Sequence, residues 1–267
     1  MPQLAETLRA AKDARRRVVV PYLMVDRSRR TRWAAQVAAL AEAGASALEV
    51  GFPFSDPIAD GPTLEAAADH ALAHGTRWSD LLGAVRTASS RLPTAVMTYA
   101  NPVWARGLER GTAELRRAGA SGLIVPDLSL EEAAPWRRAA EGSDLSLVLL
   151  AAPSASSTRT AQIARGSRGF LYLVSRFGTT GSSDPFPARE LAPLVRSAHH
   201  AAPHLPVLVG FGVHDRASAR SAVESGADGV VVGSALEEVV RRGASPGEIG
   251  AWMRSLVHAV AVPGRER

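Results

Sequence analysis

The sequence predicts a single α/β domain, a (β/α)₈ TIM barrel with extra short helices in its loops, and three observations carry that prediction. Eight short apolar, β-branched runs recur along 267 residues. Stretches with helical spacing lie between them. One helix-to-strand joint is repeated almost unchanged. No Pro/Ser-rich linker or shift in composition divides the chain, so one domain is expected over 1–267, with a helical lead-in at 1–17 and a loose tail at 263–267.

The eight runs are Val18–Met24, Ala47–Val50, Thr94–Tyr99, Gly122–Val125, Ser146–Leu150, Phe170–Val174, Pro206–Val209 and Gly229–Val232. Most are continuous rather than alternating, as parallel strands buried on both faces require. Between the first two, Arg32–Ala43 has helical spacing, with Ala35, Val37, Leu40 and Ala41 on one side and Gly44 as terminator. The repeated joint reads Ala43-Gly-Ala-Ser-Ala-Leu-Glu-Val-Gly51, Ala118-Gly-Ala-Ser-Gly-Leu-Ile-Val-Pro126 and Ser225-Gly-Ala-Asp-Gly-Val-Val-Val-Gly233. Each closes a helix with Gly and enters a hydrophobic strand. An open doubly wound sheet is compatible with these signals, but eight unbroken units favour closure.

Composition excludes several functions. With no cysteine, disulfides, thiolate metal sites and cysteine nucleophiles are ruled out, and a reducing compartment fits. The charged N-terminus lacks a signal-peptide core and no apolar run is long enough to span a bilayer, so a cytoplasmic protein without membrane attachment is expected. The formal charge of +5 comes almost wholly from Arg. The clusters Arg15–Arg17 and Arg27–Arg32 lack interleaved aromatics, so solvated faces explain them better than nucleic acid. The seven His show no metal-ligand spacing; His199-His200 is expected on a helix surface with no acid nearby, and no metal is expected. The five Trp read as packing residues.

A barrel of this kind carries function at the C-terminal ends of its strands. Glu49 lies inside the second run among apolar neighbours, where reduced solvation raises a carboxyl pKa and suits it to deliver a proton. The alternative is a structural carboxylate satisfied by backbone donors. Asp60 ends a rigid loop with three Pro and two Gly, from Gly51 to Gly61 and Pro62. There it is either an acid–base group or the N-cap of the next helix. Gly178-Thr-Thr-Gly181, Gly210-Phe-Gly-Val213 and Gly233-Ser-Ala235 follow the last three strands, where backbone N–H groups and a helix N-terminus suit a phosphate; Ser234 reads as the cap of a helix from Ala235.

The segment from Leu48 to Pro62, Leu-Glu-Val-Gly-Phe-Pro-Phe-Ser-Asp-Pro-Ile-Ala-Asp-Gly-Pro, resembles the signature of the tryptophan synthase α chain family. Val20–Met24, Met97–Pro102, Ile124–Leu128, Tyr172–Arg176, Gly210–Val213 and Val232–Ala235 match further family segments in order, so the similarity spans about 18–240. The resemblance implies cofactor-free retro-aldol cleavage of indole-3-glycerol phosphate to indole and glyceraldehyde 3-phosphate. It implies Glu49 as the main acid–base group, Asp60 facing the indole N–H, and Tyr172 near the substrate glycerol. Gly181, Gly212, Gly233 and Ser234 match phosphate positions, and Tyr22, Met97 and Ile124 match the indole pocket. Pro53, Asp56 and Asn101 match the contact region for a pyridoxal-phosphate β chain in an α₂β₂-type complex.

The chain departs from the family pattern at its edges. Val25-Asp-Arg-Ser-Arg-Arg30 replaces a Gly-containing turn, Gly178-Thr-Thr-Gly181 and Ser182–Pro187 alter the loop after the sixth strand, and Ser129 and Ser154-Ala155 replace a Pro and a Thr pair. These leave open a lyase that works alone or on a modified indole substrate. A non-catalytic phosphate-binding regulatory barrel and a phosphate-handling isomerase are the remaining readings.

Overall fold

The computed structural model describes residues 3–175 and 187–261. Its strands are β1 (Val18–Met24), β2 (Leu48–Gly51), β3 (Thr94–Met97), β4 (Gly122–Ile124), β5 (Ser146–Ala151), β6 (Leu171–Val174), β7 (Val207–Gly210) and β8 (Gly229–Val232). All pair in parallel with their sequence neighbours, and β8 pairs back to β1, so the sheet closes. An open sheet is thereby excluded, and each strand matches a predicted run to within a few residues.

Helix α1 (Leu4–Asp13) precedes the barrel. Around it run α2 (Arg30–Glu42), α3 (Pro62–Ala73), α4 (Trp78–Ser89), α5 (Ala100–Trp104), α6 (Leu108–Ala118) and α7 (Ala133–Gly142). The circle continues with α8 (Ser157–Gly166), α9 (Ala188–Ala201), α10 (Arg216–Glu224), α11 (Ser234–Arg241) and α12 (Pro246–Val260). The expected extra helices are α3, α5 and α11, each inserted before the helix that completes its βα unit. Among the described residues no helix is long and apolar enough to cross a membrane.

Strand alternation divides the core into two layers. Val18, Val20, Tyr22 and Met24 of β1 point inward, with Ala47, Ala95, Met97, Ile124, Val148, Phe170, Tyr172, Leu208 and Val231. Val19, Leu23, Leu48, Val50, Val96, Leu123, Val207 and Val209 point outward onto the helices. Leu4 and Leu8 of α1 join the inner layer, and the Leu4 N–H donates to Ser121 Oγ at 3.2 Å. The lead-in thus closes the end opposite the expected site.

Helix α2 buries Trp33, Gln36, Val37 and Leu40, while Ala35 is exposed. The predicted face is therefore rotated. Trp33 sets it, because its large indole packs inward and donates to the Ala84 carbonyl at 3.0 Å. Trp78 and Trp136 are buried as well, whereas Trp104 is 59 % exposed.

Two expectations about charge are corrected. His199 is not a bare surface residue: its Nε2 lies 2.8 Å from Asp228 Oδ2, which also accepts from Lys12 Nζ at 2.8 Å and the Val207 N–H at 2.9 Å. This clamp joins α1, α9, β7 and β8, a meeting of distant segments that local spacing does not reveal. Arg29, within one of the two dense Arg clusters, is largely buried and paired with Asp26 and Glu237.

Candidate active site

Glu49 shares a face with Ala47, so the alternation of β2 turns its carboxylate into the barrel. Its Cα is register partner to Tyr22 on β1 and Ala95 on β3. The side chain is fully buried and neither oxygen has a hydrogen-bond partner. A structural carboxylate held by backbone donors would show such partners, so that reading is excluded. Burial pushes the Glu49 carboxyl well above its usual range, a shift that favours the protonated form.

A cavity of about 30 Å³ lies over Glu49, lined by Tyr22, Met97, Tyr172, Phe211, Gly212, Gly233 and Ser234, with Gly61 and Leu64 at one side. Water fits this volume; a larger ligand requires the walls to part. Ile124 is in the same inner layer but does not reach the cavity surface.

Two glycines make room for the two tyrosines. A Cβ on Gly51 would overlap the hydroxyl end of Tyr22, and one on Gly210 would stand 2.5 Å from the Tyr172 hydroxyl. Burial raises the pKa of both phenols, and the charges of Glu49 and Asp60 raise them further.

Asp60 is not a helix cap. Gly61 occupies the N-cap of α3, with Pro62 in the first turn. The Asp60 N–H donates to the Pro57 carbonyl at 2.9 Å, and the Ala59 N–H donates to the Tyr99 hydroxyl at 3.0 Å. Phe54 stacks on Tyr99 with centroids 5.3 Å apart. Burial pushes the Asp60 carboxyl up to about 6, against the pull of the Tyr99 hydroxyl beside it.

The phosphate candidates split. Gly212, Gly233 and Ser234 converge on the cavity; Gly181 lies outside the described residues. Helix α11 starts one residue earlier than expected, with Gly233 as N-cap and Ser234 as its first residue. Ser234 thus adds its own N–H to the first-turn donors, which have no partner within the helix, a setting for an anion. Of the candidate partner contacts, Asp56 and Asn101 are exposed and Pro53 is buried. Among the described residues no group of three or more His, Asp or Glu could hold a metal ion.

Sequence reading missed Tyr99 and Phe211. Phe211 has φ +60°, rare for a residue with a side chain, and its ring meets Tyr172 edge-on at 5.5 Å. The available signal was an aromatic between two glycines at a strand end. Tyr99 stood in a quoted motif, but nothing local tied it to Ala59, 40 positions away.

Fold and site together describe a (β/α)₈ barrel with a buried, unpartnered carboxyl and a helix N-terminus at one mouth. Residues 8–251 match the family model described as "Tryptophan synthase alpha chain". The chain is 38 % identical to the tryptophan synthase alpha chain of Picosynechococcus sp., covering 98 % of this chain and 100 % of the relative. It is 39 % identical to that of Chloroflexus aurantiacus, over the same shares of the two chains. A solved structure of Mycobacterium tuberculosis tryptophan synthase superposes with a TM-score of 0.88 at 35 % identity, covering 97 % of this chain and 98 % of that one. The alpha subunit from Legionella pneumophila superposes with a TM-score of 0.83 at 30 % identity, with the same coverage. The chain belongs to the tryptophan synthase α chain family, and its class is that of a carbon–carbon lyase of tryptophan biosynthesis.

Proposed function

We propose that this chain cleaves indole-3-glycerol phosphate by a retro-aldol reaction in which Glu49 and Asp60 take different tasks. The observation that carries the assignment is the Glu49 carboxyl, fully buried at the cavity floor with no hydrogen-bond partner. Burial favours the protonated form of such a group, the form that can donate. Its proton goes to C3 of the indole ring. The positive charge that appears on the ring nitrogen is stabilised by Asp60, whose ionised form the Tyr99 hydroxyl favours against the burial that raises it.

Glu49, now a carboxylate, takes the proton of the glycerol hydroxyl next to the ring. As the C–C bond breaks, its electron pair returns to the ring, releasing indole and leaving the aldehyde of glyceraldehyde 3-phosphate. Tyr172 stands beside the glycerol. Tyr22 and Met97, with Ile124 behind them, wall the indole ring. Gly212, Gly233 and Ser234 hold the phosphate, joined by Gly181 from outside the described residues. No cofactor is called for.

We place a pyridoxal-phosphate β chain of an α₂β₂-type complex on the face bearing Asp56 and Asn101, with Pro53 beneath it, and the reaction in the cytoplasm. Family membership over nearly the whole chain supports this reading over a non-catalytic barrel or an isomerase. The test is indole release from indole-3-glycerol phosphate by the purified chain, with and without a β chain. A strong rise with the β chain is expected; equal turnover without it marks a lyase that works alone. Undiminished turnover by Glu49→Gln would overturn the acid–base assignment.

A further inference from the structure

The turn after β1 departs from the family pattern, and the structure shows what this chain does with it. Asp26 opens the turn and accepts the Ser28 N–H at 2.8 Å and its hydroxyl at 2.7 Å. Arg29 ends it, with Nε 3.0 Å from Asp26 Oδ2 and Nη1 donating to Glu237 Oε2 at 3.1 Å. Glu237 Oε1 accepts the Met24 N–H, at the end of β1, at 2.6 Å. Glu237 is 1 % exposed. Burial pushes the Glu237 carboxyl above its usual range, and the Arg29 guanidinium and the Met24 N–H, on which both its oxygens are seated, oppose that rise by favouring the anion.

Glu237 lies three residues after Ser234 on α11, about 4.5 Å along the axis. Its charge therefore sits just below the N–H groups offered to phosphate. Left alone, an anion there would repel a phosphate and oppose the attraction of the helix terminus. At such a separation one unit charge changes anion affinity by about tenfold, with an effective dielectric between those of protein and water.

We propose that Arg29 is a positioning residue for the substrate phosphate: it offsets the negative charge that Glu237 and Asp26 place beneath the phosphate end and ties the β1–α2 turn to α11. Glu237 anchors the end of β1 through Met24, and Arg29 makes that anchor compatible with an anionic ligand. The inference rests on the phosphate site of the proposed function.

The test measures binding of glyceraldehyde 3-phosphate, and separately of indole, to the full-length protein and to Arg29→Met, Glu237→Gln and the double variant. Glu237→Gln keeps an acceptor for Met24 and removes one negative charge, leaving Arg29 paired with Asp26, so it binds the phosphate probe more tightly. Arg29→Met binds it about tenfold more weakly, and the double variant returns to within about twofold of the parent. Indole, which has no phosphate, binds all four alike. Weaker phosphate binding in both single variants, or indole affinity falling in parallel, marks an ordinary packing contact and overturns the inference. Parent protein that binds indole but not the phosphate probe instead sinks the phosphate site itself. Should Arg29→Met fail to fold, tighter binding by Glu237→Gln and parental binding by the double variant decide the question alone.

Discussion

The Tyr99 hydroxyl accepts a hydrogen bond from the Ala59 N–H at 3.0 Å, one residue before Asp60. Because that N–H fills the acceptor side of the phenol, its proton is free to face the Asp60 carboxyl. One side chain from beyond β3 thus fixes the loop and favours the charged form of its carboxylate.

Tyr99→Phe is expected to remove both effects. In the parent, the acid limb of kcat/KM falls near pH 6, where Asp60 takes up its proton. Without the phenol the limb moves to higher pH, and kcat falls about tenfold as the loop loosens. Asp60→Asn loses the limb and lowers the rate about 10²–10³-fold. A pH profile of Tyr99→Phe that superimposes on the parent's would refute the coupling.

Glu49→Gln is expected to reduce indole release about 10²–10⁴-fold while raising stability near neutral pH. The folded chain holds the Glu49 proton more tightly than the unfolded chain, where a Glu carboxyl titrates near about 4.3. The folded state is therefore favoured most below that pH and loses this advantage as pH rises through the raised folded value. Gln has no such dependence. The thermal midpoint of the variant should exceed the parent's by a margin that is small near pH 4 and grows toward pH 8. A margin independent of pH would show that Glu49 is not carrying the proton.

Gly51→Ala drives a methyl into the hydroxyl end of Tyr22. The cost should be about 1–3 kcal/mol by denaturant unfolding, because a closed barrel has little room to yield. Adding Tyr22→Leu should restore stability but not indole affinity. A stable single variant would mean that the Tyr22 ring moves freely.

Asp228→Asn weakens the clamp at the opposite end of the barrel. Burial raises the Asp228 pKa, but His199, Lys12 and the Val207 N–H outweigh it and hold the carboxyl low. The stabilisation is present above the unfolded value of about 3.9 and is lost as pH falls through the lower folded value. Urea unfolding at pH 7 should show a loss of about 2–3 kcal/mol that shrinks below pH 4, with indole release unchanged by this remote site. An equal loss at both pH values would assign the effect to packing.

The sequence by itself determined the eight strands and their order, and it singled out the two carboxylates as candidates. Parallel strands buried on both faces need continuous apolar runs, Gly must end the helices between them, and the loop from Gly51 to Asp60 is long and unusual enough to name its family. Local signals also brought Gly212, Gly233 and Ser234 to one end. Tertiary structure alone decided which acid is bare and which is supported. Glu49 lies in the inner layer without a partner, whereas Tyr99 reaches Asp60 across 40 positions of chain. Only the closed barrel brings His199 to Asp228 and Arg29 to Glu237, 208 positions apart. Such pairings leave no period in the sequence, because burial and charge compensation depend on segments that meet only once the barrel has closed.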